Sequence, residues 1–436
     1  MTKPRSQTNN AIRKMVFKWY SEHKSSCDDD YSNAIDPNFS SIYEDVSSEE
    51  EKNLLFAKTD ILILTANKYE RNILHYQSNK ENNKKIKRIS IKLDTAIDFL
   101  CNVKAYSFYL NGYSVLNIHS RVTGAYTNGG AADVIRYVLN NNYLYPISVI
   151  SFGICFGADE NGDFNLGDAI ISKKVYPYFI GAKVKGEQLK VSDDNVLITD
   201  DKLAEKIEEH IRNNVLNRDG LEFAVGFGNY ITGEAVVSSR EFRKKCKDIT
   251  KQEILAGDME AYGVYKECKT PPYSIPCLVL KSICDWGVEK NFDIHDNDVI
   301  FDYGTIVLGC KDQWDIDKRR NEIINSISSL MDRLQAHAAK NSFEVLKALT
   351  NHSTFNYSSY SRIKSLIEKK RDCTNFEGEP LDDSWISDII NNILSEYNVI
   401  CSDEYAISIA TLLSMEGLIT NLKKTGSNEF VFDIIP

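Results

Sequence analysis

A chain of 436 residues with 62 acidic and 52 basic side chains has a formal net charge of −10, which excludes a general attraction to nucleic acid or to an anionic membrane surface. It is 42% hydrophobic and 26% charged, the balance of an ordinary globular protein, and no apolar run is long enough to cross a bilayer. The length exceeds what one hydrophobic core serves, so a large main domain with smaller attachments is expected.

The N-terminus, Met-Thr-Lys-Pro-Arg-Ser, carries charge without an apolar h-region, which points to a cytoplasmic protein. Ten cysteines are scattered from Cys27 to Cys401 with no Cys-x-x-Cys. They read as reduced thiols and suggest neither a disulfide frame nor a zinc site. His119, His295 and His337 show no metal-ligand spacing.

In chain order, residues 1–57 form an N-terminal extension. A helix is predicted over Ala11 to His23, where Ile12, Met15, Val16 and Trp19 recur at helical spacing and should dock. The acidic, Ser- and Asn-rich stretch from Ser25 to Lys52 reads as a linker. The main domain, residues 58–350, opens with the buried-strand pattern Asp60 to Thr65, which runs into a helix at Ala66 to Leu74. Ser78 to Arg88 reads as a surface loop. Strands are predicted at Tyr113 to His119, Ile147 to Phe152, Asp168 to Val175, Leu221 to Val225 and Cys277 to Ile283. Between them lie helical patterns at Ala131 to Leu139, Leu203 to Val215, Ser239 to Lys247 and Glu260 to Cys268. This alternation predicts an α/β domain whose central sheet is mixed, mostly parallel and flanked by helices. Asn291 to Asp317 reads as a loop, and Arg319 to Leu349 as a long helical region.

Residues 351–436 form a C-terminal accessory domain, with helices at Tyr360 to Lys369, Asp383 to Glu396 and Glu404 to Met415 before a hairpin ending at Phe430 to Asp433. That order is helical or winged-helix-like, but the acidic run Glu377 to Asp383 counts against nucleic-acid binding.

Three separated segments carry the candidate chemistry. They are Thr65 to Glu70; Gly153 to Gly157 with Leu166-Gly-Asp168; and Thr232 to Ser238 with Gly257 to Tyr262 and Cys277 to Trp286. Each places a turn or small residue after an apolar run, where a ligand lies outside the carboxyl ends of the strands. Alone, Glu260 reads as a helix N-terminal acid and Asp285 as a strand-end cap. Together with Met259 and the Gly153 turn, they read as a ligand site.

These segments, in this order, resemble the nucleoside phosphorylase superfamily, most closely its methylthioadenosine/S-adenosylhomocysteine nucleosidase branch, over residues 60–349. Ala66 to Glu70 matches the family's Ala-Met-Glu-Glu-Glu at its first and last residues, and Gly153-Ile-Cys-Phe-Gly157 matches its Gly-Ser-Ala-Gly-Gly. Thr232-Gly-Glu234 corresponds to Ser-Gly-Asp, Asp258-Met-Glu260 to Glu-Met-Glu, and Ile283-Cys-Asp285 to Ile-Ser-Asp.

The resemblance implies a nucleosidase that hydrolyses the N-glycosidic bond of a purine nucleoside or nucleotide, with no cofactor and no metal. Asp285 would share a proton with the leaving base, Glu260 would accept hydrogen bonds from the ribose hydroxyls, and Glu70 would activate water. Met259, Asp258, Ala66, Cys155, Val236 and Val237 would line the substrate. Arg121 and Lys281 stand where a 5′-phosphate would be met, an ordinary ion pair being the other reading for both. The resemblance also implies a homo-oligomer. The added terminal segments suggest a regulatory partner and a role as an effector in bacterial antiviral defence or stress. A phosphorylase using inorganic phosphate and a non-catalytic nucleotide sensor are the alternatives. The chain departs from the family pattern at Cys284, where Ser is usual; at Val236 and Val237, in place of an aromatic; and at bulky Ile154 and Phe156.

Overall fold

The computed structural model describes residues 5–35, 37–57, 59–92, 102–120, 122–140, 144, 146–178, 183–185, 188–190, 195–218, 220–234, 241, 243–244, 252–270, 275–287, 292–352, 354–355, 419–424 and 430–434. Helix α1 (Arg5–Ala34) leads through a 3-10 turn (Pro37–Ile42) to strand β1 (Tyr43–Asp45) and helix α2 (Glu49–Ala57). Then come β2 (Ile61–Thr65), α3 (Lys68–Asn82), β3 (Ile86–Lys92), β4 (Asn102–Leu110), β5 (Tyr113–His119), α4 (Ala131–Leu139), β6 (Ser148–Gly157) and β7 (Ala169–Pro177). A small antiparallel pair, β8 (Lys183–Lys185) and β9 (Gln188–Lys190), precedes β10 (Leu197–Ile198), α5 (Asp201–Arg212) and α6 (Val215–Arg218). The main domain continues with β11 (Val225–Thr232), β12 (Ala256–Asp258), α7 (Ala261–Lys269) and β13 (Cys277–Asp285). It ends in α8 (Asn297–Ile306), α9 (Gln313–Lys318), α10 (Arg320–Ser328) and α11 (Leu330–Asn351).

The result is a mixed α/β architecture around one 11-stranded sheet. Its flat wing runs β1-β3-β4-β5-β2-β6, parallel at β2 and antiparallel along β3, β4 and β5. Beyond β6 the sheet is not open. β6 pairs with β13, β13 with β7, β7 with β11, β11 with β12, and β12 returns to β6. Closure works because β6 changes neighbours along its length. β2 covers Ser148 to Ser151 and β12 covers Phe156 and Gly157 on the same side, so the residues between have no strand partner there.

The apolar strands β2 and β13 are buried at every position, as expected of strands covered on both faces. Helix α11 lies close enough to touch backbone because its contact residues are small. Ser342 donates from Oγ to the Gly153 carbonyl at 2.7 Å, and its Oγ meets Ser282 Oγ at 2.9 Å.

The predicted strands at β2, β5, β6, β7 and β13 and the helix α4 are present, while four stretches differ from expectation. Ser25 to Lys52 is not a linker: α1 extends to Ala34, and β1 joins the sheet beside β3. Its acids are docking groups, with Asp28 paired to Arg333 and Asp30 Oδ2 lying 2.8 Å from His337 Nδ1. Ser78 to Arg88 is not a loop, since α3 runs to Asn82 with Gln77 and Ser78 buried, and β3 begins at Ile86. Asn291 to Asp317 holds α8 and α9, whose N-caps are Asp296 and Asp312. The strand placed at Leu221 to Val225 instead starts at Val225 and includes Gly226 and Gly228. A Cβ on either glycine would come within 2.5 Å of Phe164 or Leu255, so packing selects glycine against strand propensity.

The antiparallel pair β14 (Ile419–Lys424) and β15 (Phe430–Ile434) falls in the predicted hairpin. The predicted C-terminal helices, and Ser239 to Lys247 apart from residues 241 and 243–244, lie outside the described residues. Among the described residues no helix is long and apolar enough to cross a membrane.

Candidate active site

Where β2 ends, β6 stays paired with β13 on one edge and has no strand on the other, and Glu70 fills that gap. Asn67 caps α3 by accepting from the Tyr69 N–H at 2.8 Å, and its Nδ2 donates to Gln335 Oε1 at 3.0 Å. Glu70, in the first turn, reaches back: Oε2 accepts from the N–H groups of Ala66 and Asn67, each at 2.8 Å. Oε1 accepts from the N–H of Ile154 at 3.0 Å, on the stretch of β6 left bare by its neighbours. The carboxylate lies against Gly153, whose φ is +140° and where a Cβ would stand 2.1 Å from Glu70 Cδ. Only glycine fits there.

Such a geometry is also a capping box, which a charged glutamate serves well at a helix surface. Glu70 departs from that role in being 2% exposed. Burial pushes its pKa up to about 7, with Lys281 opposing, the Glu260 charge adding to the rise, and the backbone donors resisting it. A carboxyl group poised near neutrality is suited to proton transfer.

Next to it lies a buried ionic cluster built by β12, the start of α7 and β13. Lys281 Nζ is 2.6 Å from Asp258 Oδ2 and 2.9 Å from Glu260 Oε2. Burial works against the ammonium, but Asp258, Glu260 and Glu70 outweigh it and hold its pKa well above the usual lysine range. Asp258 is pushed up by burial, with Lys281 opposing, and its Oδ1 accepts from the Ala261 N–H at 3.1 Å. Glu260 Oε1 accepts from the Gly124 N–H at 3.3 Å. Three carboxyl groups thus share one ammonium, an imbalance that favours keeping a proton among them. Lys281, read from the sequence as a phosphate contact or an ion pair, is the ion pair. At 1% exposure, its charge is taken up by its own neighbours.

Asp285 closes β13 and is 7% exposed. Its Oδ1 accepts from the Gly287 N–H at 2.6 Å, in a turn where Gly287 has φ +64°, and Cys284 donates from Sγ to Oδ2 at 3.3 Å. A thiol is a weaker donor than a hydroxyl, so this contact holds the carboxylate less firmly than the backbone N–H does. Facing loops are tied in by Glu234, which accepts from the Tyr126 N–H at 2.5 Å and from Thr127 Oγ1 at 2.9 Å.

Of the other candidates, Cys155 is buried on β6, where burial raises its thiol pKa, and Met259 is half-buried between Asp258 and Glu260. Ala66 contributes its backbone N–H to Glu70. Arg121, Val236 and Val237 lie outside the described residues. The structure therefore brings Glu70, Asp258, Glu260 and Lys281 into one cluster, and sets Asp285 four residues beyond Lys281 on the same strand. Among the described residues no group of three or more His, Cys, Asp or Glu side chains is arranged to hold a metal ion.

No protein-family model and no curated protein matches the chain. Solved structures similar to it include nucleosidases and a hydrolase. The 5′-methylthioadenosine/S-adenosylhomocysteine nucleosidase of Neisseria meningitidis, in complex with methylthio-immucillin-A, is 17% identical with a TM-score of 0.45, covering 68% of this chain and 99% of its own. The corresponding Helicobacter pylori enzyme is 14% identical with a TM-score of 0.46, covering 68% and 99%. Helicobacter pylori futalosine hydrolase is 14% identical with a TM-score of 0.46, covering 68% and 98%.

Sequence reasoning missed two residues that bear on the site, Arg243 and Glu160. Arg243 donates to the Trp286 carbonyl and to Glu160, and both side chains are buried. The signal was an acid pair, Asp159-Glu160, following Gly157-Ala158, and a basic run, Arg243-Lys244-Lys245, elsewhere in the chain.

Proposed function

We propose that this protein hydrolyses the N-glycosidic bond of a purine nucleoside or nucleotide, releasing the free base. The observation that carries this reading is the pairing of two unlike acids around the carboxyl ends of β2, β6 and β13. Glu70 is buried, with a pKa pushed up to about 7, and Asp285 sits at a strand end. Glu260, whose charge is felt by Glu70, is held by Lys281.

Cleavage builds positive charge on the ribose and negative charge on the departing base. The carboxylate of Glu260 accepts from two vicinal hydroxyls and opposes the positive charge, in a site whose counter-charge is already fixed. Asp285 shares a proton with the base nitrogen as the bond breaks, and ionised Glu70 takes a proton from the attacking water. Residues 58–350 serve as the catalytic unit in this reading and 351–436 as an accessory domain. A homo-oligomer acting in the cytoplasm as a defence or stress effector is the setting that the added segments suggest.

The test is chromatographic detection of free base from adenosine, methylthioadenosine, guanosine, inosine, AMP and ATP, each with and without inorganic phosphate. Release without phosphate, lost in Asp285→Asn, supports the proposal and identifies the base. Strict dependence on phosphate makes the protein a phosphorylase. Binding without release under every condition makes it a sensor.

A further inference from the structure

The turn carrying Asp285 is locked from behind by a buried ion pair drawn from two other parts of the chain. Gly157 ends β6, and the Trp286 ring packs on it so closely that a Cβ there would lie 2.5 Å from the ring. Three residues further on, Glu160 is 7% exposed, and Arg243, 6% exposed, donates to its carboxylate. A second guanidinium nitrogen of Arg243 donates to the carbonyl of Trp286, the residue directly after Asp285. Burial disfavours the charged guanidinium, while the bonded Glu160 carboxylate and the nearby Asp159 and Asp285 favour it. Arg243 therefore lies within electrostatic reach of Asp285 while bonding to its neighbours.

The arrangement is costly as mere scaffolding. A buried arginine–carboxylate pair commonly adds little net stability compared with apolar residues of the same volume. A planar guanidinium holding a carboxylate and a peptide carbonyl at once does something an apolar pair cannot, because it fixes the orientation of the turn. The turn in turn aims Asp285, whose Oδ1 is tied to the Gly287 N–H two residues on.

We propose that Arg243, supported by Glu160, is a positioning residue for Asp285 that sets the carboxyl where the departing base meets it. This rests on the functional reading above, in which Asp285 assists the leaving group. The consequence is selective: a misaimed Asp285 slows the loss of bases that need a proton and leaves untouched a leaving group that departs unaided.

The experiment compares wild type with the double variant Arg243→Met/Glu160→Leu, which removes both charges together and so leaves neither buried alone. One substrate is whichever of adenosine, guanosine, inosine and their 5′-monophosphates turns over. The other is p-nitrophenyl ribofuranoside, or its 5′-phosphate, matched to it. Expected is a fall of about 10-fold to 100-fold in kcat on the purine substrate, the size of a misplacement near the chemistry. KM should stay close to wild type, and the p-nitrophenyl rate should stay within about threefold, because p-nitrophenolate needs no acid. Arg243→Lys should recover only part of the loss, since an ammonium lacks the planar fork.

Equal losses on both substrates, or no loss on either, overturn the inference while the functional reading stands. If the double variant does not fold, Glu160→Gln, which leaves Arg243 on the Trp286 carbonyl, must show a smaller loss with the same selectivity or the inference fails. Absence of base release from wild type overturns the functional reading, and this inference with it.

Discussion

Glu70 and Asp285 stand around the same strand ends and are held by different kinds of atom. Three backbone N–H groups hold Glu70, from the end of β2 and from the bare stretch of β6. Asp285 is held in part by the Gly287 N–H and the Cys284 thiol, with an arginine behind its turn. Backbone donors belong to the fold, so the Glu70 cradle changes only if the main chain moves. Side-chain donors can be replaced one at a time, so the Asp285 end is where small substitutions can tune the chemistry.

The comparison breaks most visibly at the acids themselves. Asp285→Asn keeps the shape but holds no exchangeable acid, and base release should fall about 100-fold to 10,000-fold in a steady-state assay. On the backbone-held side, Gly153→Ala should be the more destructive change to the fold. Its Cβ would overlap Glu70 and its φ suits only glycine, so a loss of about 3 kcal/mol in denaturant unfolding is expected together with loss of activity.

Titration separates the two regions further. The folded-state pKa of Glu70 is pushed up to about 7 from an ordinary 4.5, so the folded protein holds more protons than the unfolded chain between those values. Stability therefore falls as pH rises through that window, by up to about 3 kcal/mol, and the raised Asp258 acts in the same direction. Glu70→Gln should flatten the slope in thermal melts recorded from pH 4.5 to 7. Activity runs the opposite way, since Glu70 works as a base only when ionised, and the wild-type rate should rise as pH passes about 7. The smallest effect is expected at Cys284→Ser, which replaces a weak donor to Asp285 by a stronger one and should change kcat by less than about tenfold.

Much of the site was legible because apolar runs and acids coincide. β2 and the first half of β13 are apolar runs, Glu70 follows the first and Asp285 closes the second strand. Residues whose role depends on distant partners were not legible. Asp28 and Asp30 read as solvated linker acids until Arg333 and His337, some 300 positions later, come beside them. Asp296 and Asp312 read as loop residues because aspartate favours turns, yet they cap helices. Lys281 gave no hint of its two carboxylates, since pairing across β12 and β13 is a property of the closed ring.

That ring has a consequence for how the protein is made. β6 starts at Ser148 and its partner β13 ends at Asp285, so no ribosome-bound chain can complete the ring before both have emerged. Helix α1 has its partners Asp302, Arg333 and His337 between 289 and 307 positions later in the chain. Contacts this distant in sequence form late and slowly. Helix α1 is thus among the last pieces to settle, and a half-made chain carries Glu70 and Glu260 without the strand that brings Lys281 and Asp285 to them.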